Sequence, residues 1–143
     1  MWAIWICIPI GIAFLISGVF IFISWIKLWQ REGMKHTTIK SPPKLISYGL
    51  YSYIRHPHYV SHALISFSLS FFSLFLWLQG VWTPLTFILF LFFIFFPLLW
   101  LFQATHWEEK ELIEKFGKEY IEYKERVPRF IPRIRKKYAS KAR

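Results

Sequence analysis

The chain has 143 residues, 55% of them hydrophobic and 22% aromatic, with only 18% charged. A soluble domain carries less apolar and more charged material than this. The formal charge is +10, yet nucleic acid is excluded as a partner by where the charges lie: the first 26 residues and residues 59–102 carry none. All 18 Lys and Arg and all 8 Asp and Glu fall in 27–58 and 103–143. Such segregation describes an integral membrane protein.

The chain reads as one all-α, multi-pass membrane domain over 1–143, with a basic tail over 134–143. About 20 apolar residues, rising 1.5 Å each, cross a ~30 Å hydrocarbon layer. Three segments meet that length: 2–26, 59–78 and about 84–102. The first has no basic residues before it and is too long for a signal-peptide core, so it reads as a retained transmembrane helix. Its only cysteine, Cys7, excludes an intrachain disulfide or a Cys-based zinc site. Cys7, Gly11 and Gly18 share a face suited to close helix packing. Gly80 permits a tight reversal, and Thr83 before Pro84 reads as a helix cap followed by the first helical residue. The second and third spans therefore form an antiparallel hairpin. Three crossings place 27–58 and 103–143 on one side, which the distribution of Lys and Arg assigns to the cytoplasm.

Pro57 suits the first position of the second helix, making His56 its N-cap. A helix start there, with Arg55 beside it, suits an anionic group. Below it, His58, His62, Ser66, Ser70 and Ser73 form a polar stripe, best read as packing hydrogen bonds. His58 and His62 stand four residues apart, as metal ligands do. The remaining candidates, His106, Glu108 and Glu109, are distant in sequence, so no metal is expected.

The third helix runs without a breaker into charged sequence. Leu112, Ile113 and Phe116 define its apolar face, and Glu109 falls within that arc, with Glu108 at its edge. An ionised carboxylate on a packed face needs a partner. Arg55, a histidine of 56–62 or a bound cation are the candidates. Gly117 is expected to end the helix. A short amphipathic helix with Tyr120 and Tyr123 follows, and Val127-Pro128 stops it. The basic run beyond Arg133 suits anionic lipid.

Taken together, Gly49-Leu50-Tyr51-Ser52-Tyr53-Ile54-Arg55-His56-Pro57-His58-Tyr59, the apolar hairpin, Glu108-Glu109-Lys110-Glu111-Leu112, Phe116 to Tyr123 and Val127 to Pro132 resemble the isoprenylcysteine carboxyl methyltransferase and phospholipid methyltransferase superfamily. The resemblance spans about 40–133. It implies S-adenosylmethionine as cofactor, with Tyr53, His56, Pro57, Tyr59, Glu108 and Glu109 binding it and Arg55 and Glu109 catalytic. It implies a lipid-like or prenylated acceptor, with carboxyl O-methylation expected first and phospholipid N-methylation as the alternative. A non-catalytic lipid-binding scaffold is the competing reading. Two features depart from that superfamily: Ser61 stands where glycine is usual, and only three crossings are present. The second departure leaves room for completion of the site by a second copy.

Overall fold

A run of apolar residues without glycine–proline punctuation has one way to satisfy its backbone in lipid, which is to coil into a helix. The computed structural model, which describes residues 2–34, 42–81 and 83–132, is all-helical and contains no strand among those residues. Its elements are α1 (Trp2–Arg31), a 3-10 turn (Gly49–Ser52), α2 (Pro57–Leu78), α3 (Pro84–Phe116) and α4 (Lys118–Arg126). Three of these helices, α1, α2 and α3, are long and apolar enough to cross a membrane. The expected basic tail at 134–143 lies outside the described residues.

α1 outruns its expected length, whereas α3 runs on to Gly117 as expected. α1 continues five residues past position 26 to Arg31, because the onset of charge marks the bilayer edge and does not break a helix. Gly33, at φ 73°, turns the chain afterwards. α3 has 33 residues, or roughly 50 Å at 1.5 Å per residue, against a ~30 Å hydrocarbon layer. Its last turns therefore stand clear of the lipid and carry Glu108 and Glu109 with them. Thr83 caps α3 by accepting from the Thr86 amide at 3.2 Å, ahead of Pro84. Gly117 ends α3 at φ 53°, a left-handed value that favours glycine.

α2 is the central element, packed against α1 on one flank and α3 on the other. Gly11 and Gly18 lie at the α1 interface, as expected. A Cβ on Gly11 would meet Phe71 Cβ at 3.3 Å, and one on Gly18 would meet the Ser61 carbonyl oxygen at 3.0 Å. The serine stripe is partly corrected. Ser66 donates across to the Phe93 carbonyl of α3 at 3.2 Å, but Ser70 and Ser73 bond back to carbonyls of α2 itself. Serine hydroxyls in a helix readily take that local option.

Beyond the membrane, α4 folds back so that Leu112, Tyr120, Tyr123 and Val127 bury one another, with Leu45, Ile113 and Phe116 packed around them. Tyr123 donates to the Tyr51 carbonyl at 2.7 Å, and Trp25 donates to the Tyr51 hydroxyl at 3.0 Å. The loop, the end of α1 and α4 are thus joined into one cap over the helix mouth.

Candidate active site

Pro57 fixes the first turn of α2, and residues 54–56 precede it as irregular chain. α4 ends at Arg126 ahead of Pro128, and residues 127–132 follow as a bent, non-helical stretch. These two short stretches meet: the Arg55 amide donates to the Pro128 carbonyl at 3.0 Å and the His56 amide to the Arg129 carbonyl at 3.3 Å. That backbone pairing brings the side chains of 55, 56 and 129 over the emergent turns of α3.

There Glu109, buried in the apolar arc, gathers four cationic side chains. Arg129 embraces it with a two-pronged contact, Nη2 to Oε2 at 2.8 Å and Nε to Oε1 at 3.0 Å, a geometry that matches guanidinium to carboxylate. Arg55 Nη1 lies 2.8 Å from Oε1, His56 Nε2 3.2 Å from Oε1 and Lys124 Nζ 3.2 Å from Oε2. The partner that Glu109 required is therefore Arg55 and His56 together, with two more cations from the far end of the chain.

His56 occupies the N-cap position, but its ring makes no capping bond. Instead its two nitrogens face two carboxylates, Nε2 toward Glu109 and Nδ1 toward Glu108 at 3.4 Å. Each nitrogen looks at an acceptor, an arrangement that favours the doubly protonated ring. Burial works against the charge, but the bonds to Glu108 and Glu109 outweigh it and hold the imidazole above its usual pKa. The stabilisation this imidazolium provides is complete below the unfolded value of about 6.5 and disappears as pH climbs through the elevated native one. Thermal unfolding of the detergent-solubilised protein should accordingly move to lower temperature across that rise. In His56→Gln the same pH interval should produce a flatter curve, and an equally steep one would contradict the assignment.

The other residues marked in the sequence divide. Arg55, His56, Glu108 and Glu109 come together as above. Tyr59 lies close by, its ring centroid 5.8 Å from that of His56, and Pro57 is buried at the start of α2. Tyr53 does not join them: at the end of the 3-10 turn it is 56% exposed. Arg126 is not at the site either, since its Nε donates to the Glu122 carbonyl, and Arg129 is engaged by Glu109. Lys124 and Tyr120 were missed as members. The one signal available was the tyrosine spacing on α4, which faces Lys124 only once the helix is folded back.

Set against the cations Arg55, His56, Lys124 and Arg129, the carboxylates Glu108 and Glu109 leave the cluster with a surplus of two positive charges. Arg129 and Lys124 reach the surface, 31% and 40% exposed. The cluster is thus a buried acid–base centre with a cationic rim.

The family model for ergosterol biosynthesis ERG4/ERG24 matches residues 25–135, which enclose every residue of the cluster. The chain belongs to the ergosterol biosynthesis ERG4/ERG24 family. Searches of curated proteins and of solved structures gave no match. Membership makes this chain part of a family of membrane enzymes, so the sequence resemblance holds at that coarser level only. ERG4/ERG24 proteins are sterol reductases that use NADPH. The expectations of a methyltransferase, whether carboxyl O- or phospholipid N-directed, and of S-adenosylmethionine are corrected accordingly, and the scaffold reading gives way with them. The physical reason lies in the motif. An arginine–histidine–proline helix entry beside paired carboxylates builds a cationic, proton-holding mouth, and nothing in that geometry selects a methyl donor over a hydride donor.

Proposed function

We propose that this ERG4/ERG24 family member is a membrane reductase that uses NADPH to saturate a carbon–carbon double bond in a sterol-like substrate dissolved in the bilayer. The observation that carries the reading is the family match over 25–135, which contains the whole acid–base cluster. The donor set fits a phosphorylated dinucleotide: two surplus positive charges, with Arg129 and Lys124 reaching the surface. When bound, NADPH supplies hydride.

The protein's own residues supply the remainder. Saturating a double bond takes a proton as well as a hydride, and His56 holds one on each ring nitrogen. Glu108 and Glu109 keep the imidazolium charged and fix its ring. Arg55 and Arg129 prevent Glu109 from taking that proton outright, by stabilising its negative charge. The apolar flanks of α2 and α3 exclude water and let a lipophilic substrate approach sideways. The excess of Lys and Arg on the site-bearing side supports a cytoplasmic orientation, where the dinucleotide is available.

The test is turnover of an unsaturated sterol by purified protein in lipid nanodiscs, with NADPH deuterated at its transferable position. The expected product carries one deuterium from the dinucleotide and one hydrogen from solvent. His56→Gln should lower kcat by roughly 10²–10⁴, the usual contribution of a positioned acid, with calorimetric binding of NADPH retained. Absence of dinucleotide binding to the wild-type protein overturns the reading.

A further inference from the structure

Beside the cluster, under the 3-10 turn, is a cavity of about 30 Å³ with apolar walls from Leu45, Ile46 and Leu112. Of the polar residues that also line it, Tyr51 and Tyr123 have their hydroxyls in hydrogen bonds with Trp25 and the Tyr51 carbonyl, which leaves Arg55, Glu108 and Tyr120. Arg55 Nε and Tyr120 Oη are buried without a hydrogen-bond partner, and Glu108 Oε2 meets only His56 Nδ1 at 3.4 Å, longer than an ordinary hydrogen bond. Tyr120 is 1% exposed and the Arg55 side chain 8%. Leaving such groups unmet costs on the order of 1–3 kcal/mol apiece, so two of them beside a half-met carboxylate oxygen, around one small hollow, are informative. Of the three atoms, two donate and one accepts.

We propose that the cavity is a binding site for a single hydroxyl oxygen, which accepts from Arg55 Nε and Tyr120 Oη and donates its proton to Glu108 Oε2. Only an oxygen of the water or alcohol type matches this donor–acceptor pattern in so little space. A carbonyl or ether oxygen lacks the proton for Glu108, and a second ammonium has no lone pair for Arg55. A volume of this size accepts one water, or the terminal hydroxyl of an amphiphile whose body lies outside. Tyr120 contributes through its phenol, which burial foremost, and Glu109 next, push up to about 12, so it stays a donor at neutral pH. The site does not depend on the reductase reading, because it follows from these three atoms and the cavity between them.

Two measurements on the full chain test it. The first is an experimental structure at a resolution that shows ordered solvent, from protein prepared without added alcohol. The second compares thermal stabilisation by a long-chain primary alcohol with that by its methyl ether, in the wild type and in Tyr120→Phe. A single oxygen within hydrogen-bonding distance of all three atoms, with alcohol and ether acting alike, supports the site with water as occupant. An alcohol roughly tenfold more potent than its ether, the size expected for one or two hydrogen bonds, supports the site with a lipid hydroxyl as occupant. That preference must vanish in Tyr120→Phe. An empty cavity with no preference for the alcohol overturns the proposal, as does direct pairing of the three atoms with one another.

Discussion

Glu109→Gln is expected to destabilise the protein more than any other single change at the site, by about 3–5 kcal/mol, the cost of removing one partner from a buried ion pair. The amide keeps the shape but loses the charge that holds Arg55, His56, Lys124 and Arg129 in place. Like-charged neighbours then repel one another in a site closed to water. Of the side chains of 127–132, Arg129 is the one that Glu109 holds, so this stretch should loosen first. Limited trypsin digestion of the detergent-solubilised variant should cut after Arg129, where the wild type resists. Glu111→Gln, two residues along on the exposed face of α3, is the control and should change neither unfolding temperature nor digestion. Equal behaviour of the two variants would refute the role assigned to Glu109.

Gly18→Val should be the most damaging change within the membrane. A Cβ at position 18 falls 2.8 Å from Ile65 Cγ1, 3.0 Å from the Ser61 carbonyl oxygen and 3.1 Å from the Ile65 amide nitrogen. The side-chain contact alone can be relieved by a rotamer change, but two of the three obstacles are backbone atoms of α2. Relief therefore requires the helices to separate, which forfeits close packing along an interface that small residues make possible. Overpacking of this kind costs about 1–3 kcal/mol, and a valine adds two further carbons to it. Gly11→Ala provides a graded comparison: its nearest obstacle is Phe71 Cβ at 3.3 Å, so the loss should be smaller. Unfolding temperatures in one detergent rank the variants, and an unaffected Gly18→Val would mean that α1 and α2 do not pack at this register.

The parts of the fold that were legible in the sequence are those set by local chemistry. Absence of charge over 59–102 marked the hairpin, Thr83 before Pro84 marked a helix start, and Gly117 marked a helix end. Glu109 was recognisable as a residue needing a partner because it interrupts an apolar arc. The extent of α1 was underestimated, since charge reports where lipid stops and says nothing about where a helix does. Arg129 and Lys124 escaped notice as site members because their placement depends on backbone bonds from residues 55 and 56 to 128 and 129, pairs far apart in the chain. The chemistry was misassigned for another reason. The cations that suit the carboxylate of one cofactor suit the phosphates of another, and only the family relationship separates the two.

The bonds that tie 55 to 128 and 56 to 129 also impose an order of events during biosynthesis. Three helices can enter the bilayer, and Glu109 can emerge beside Arg55 and His56, while the segment that closes over them is still inside the ribosome. Assembly of the acid–base centre therefore waits until residues 128 and 129 have left the ribosome. A translation product halted near residue 126 should insert normally yet remain inert, and its unshielded carboxylate would distinguish it from finished protein.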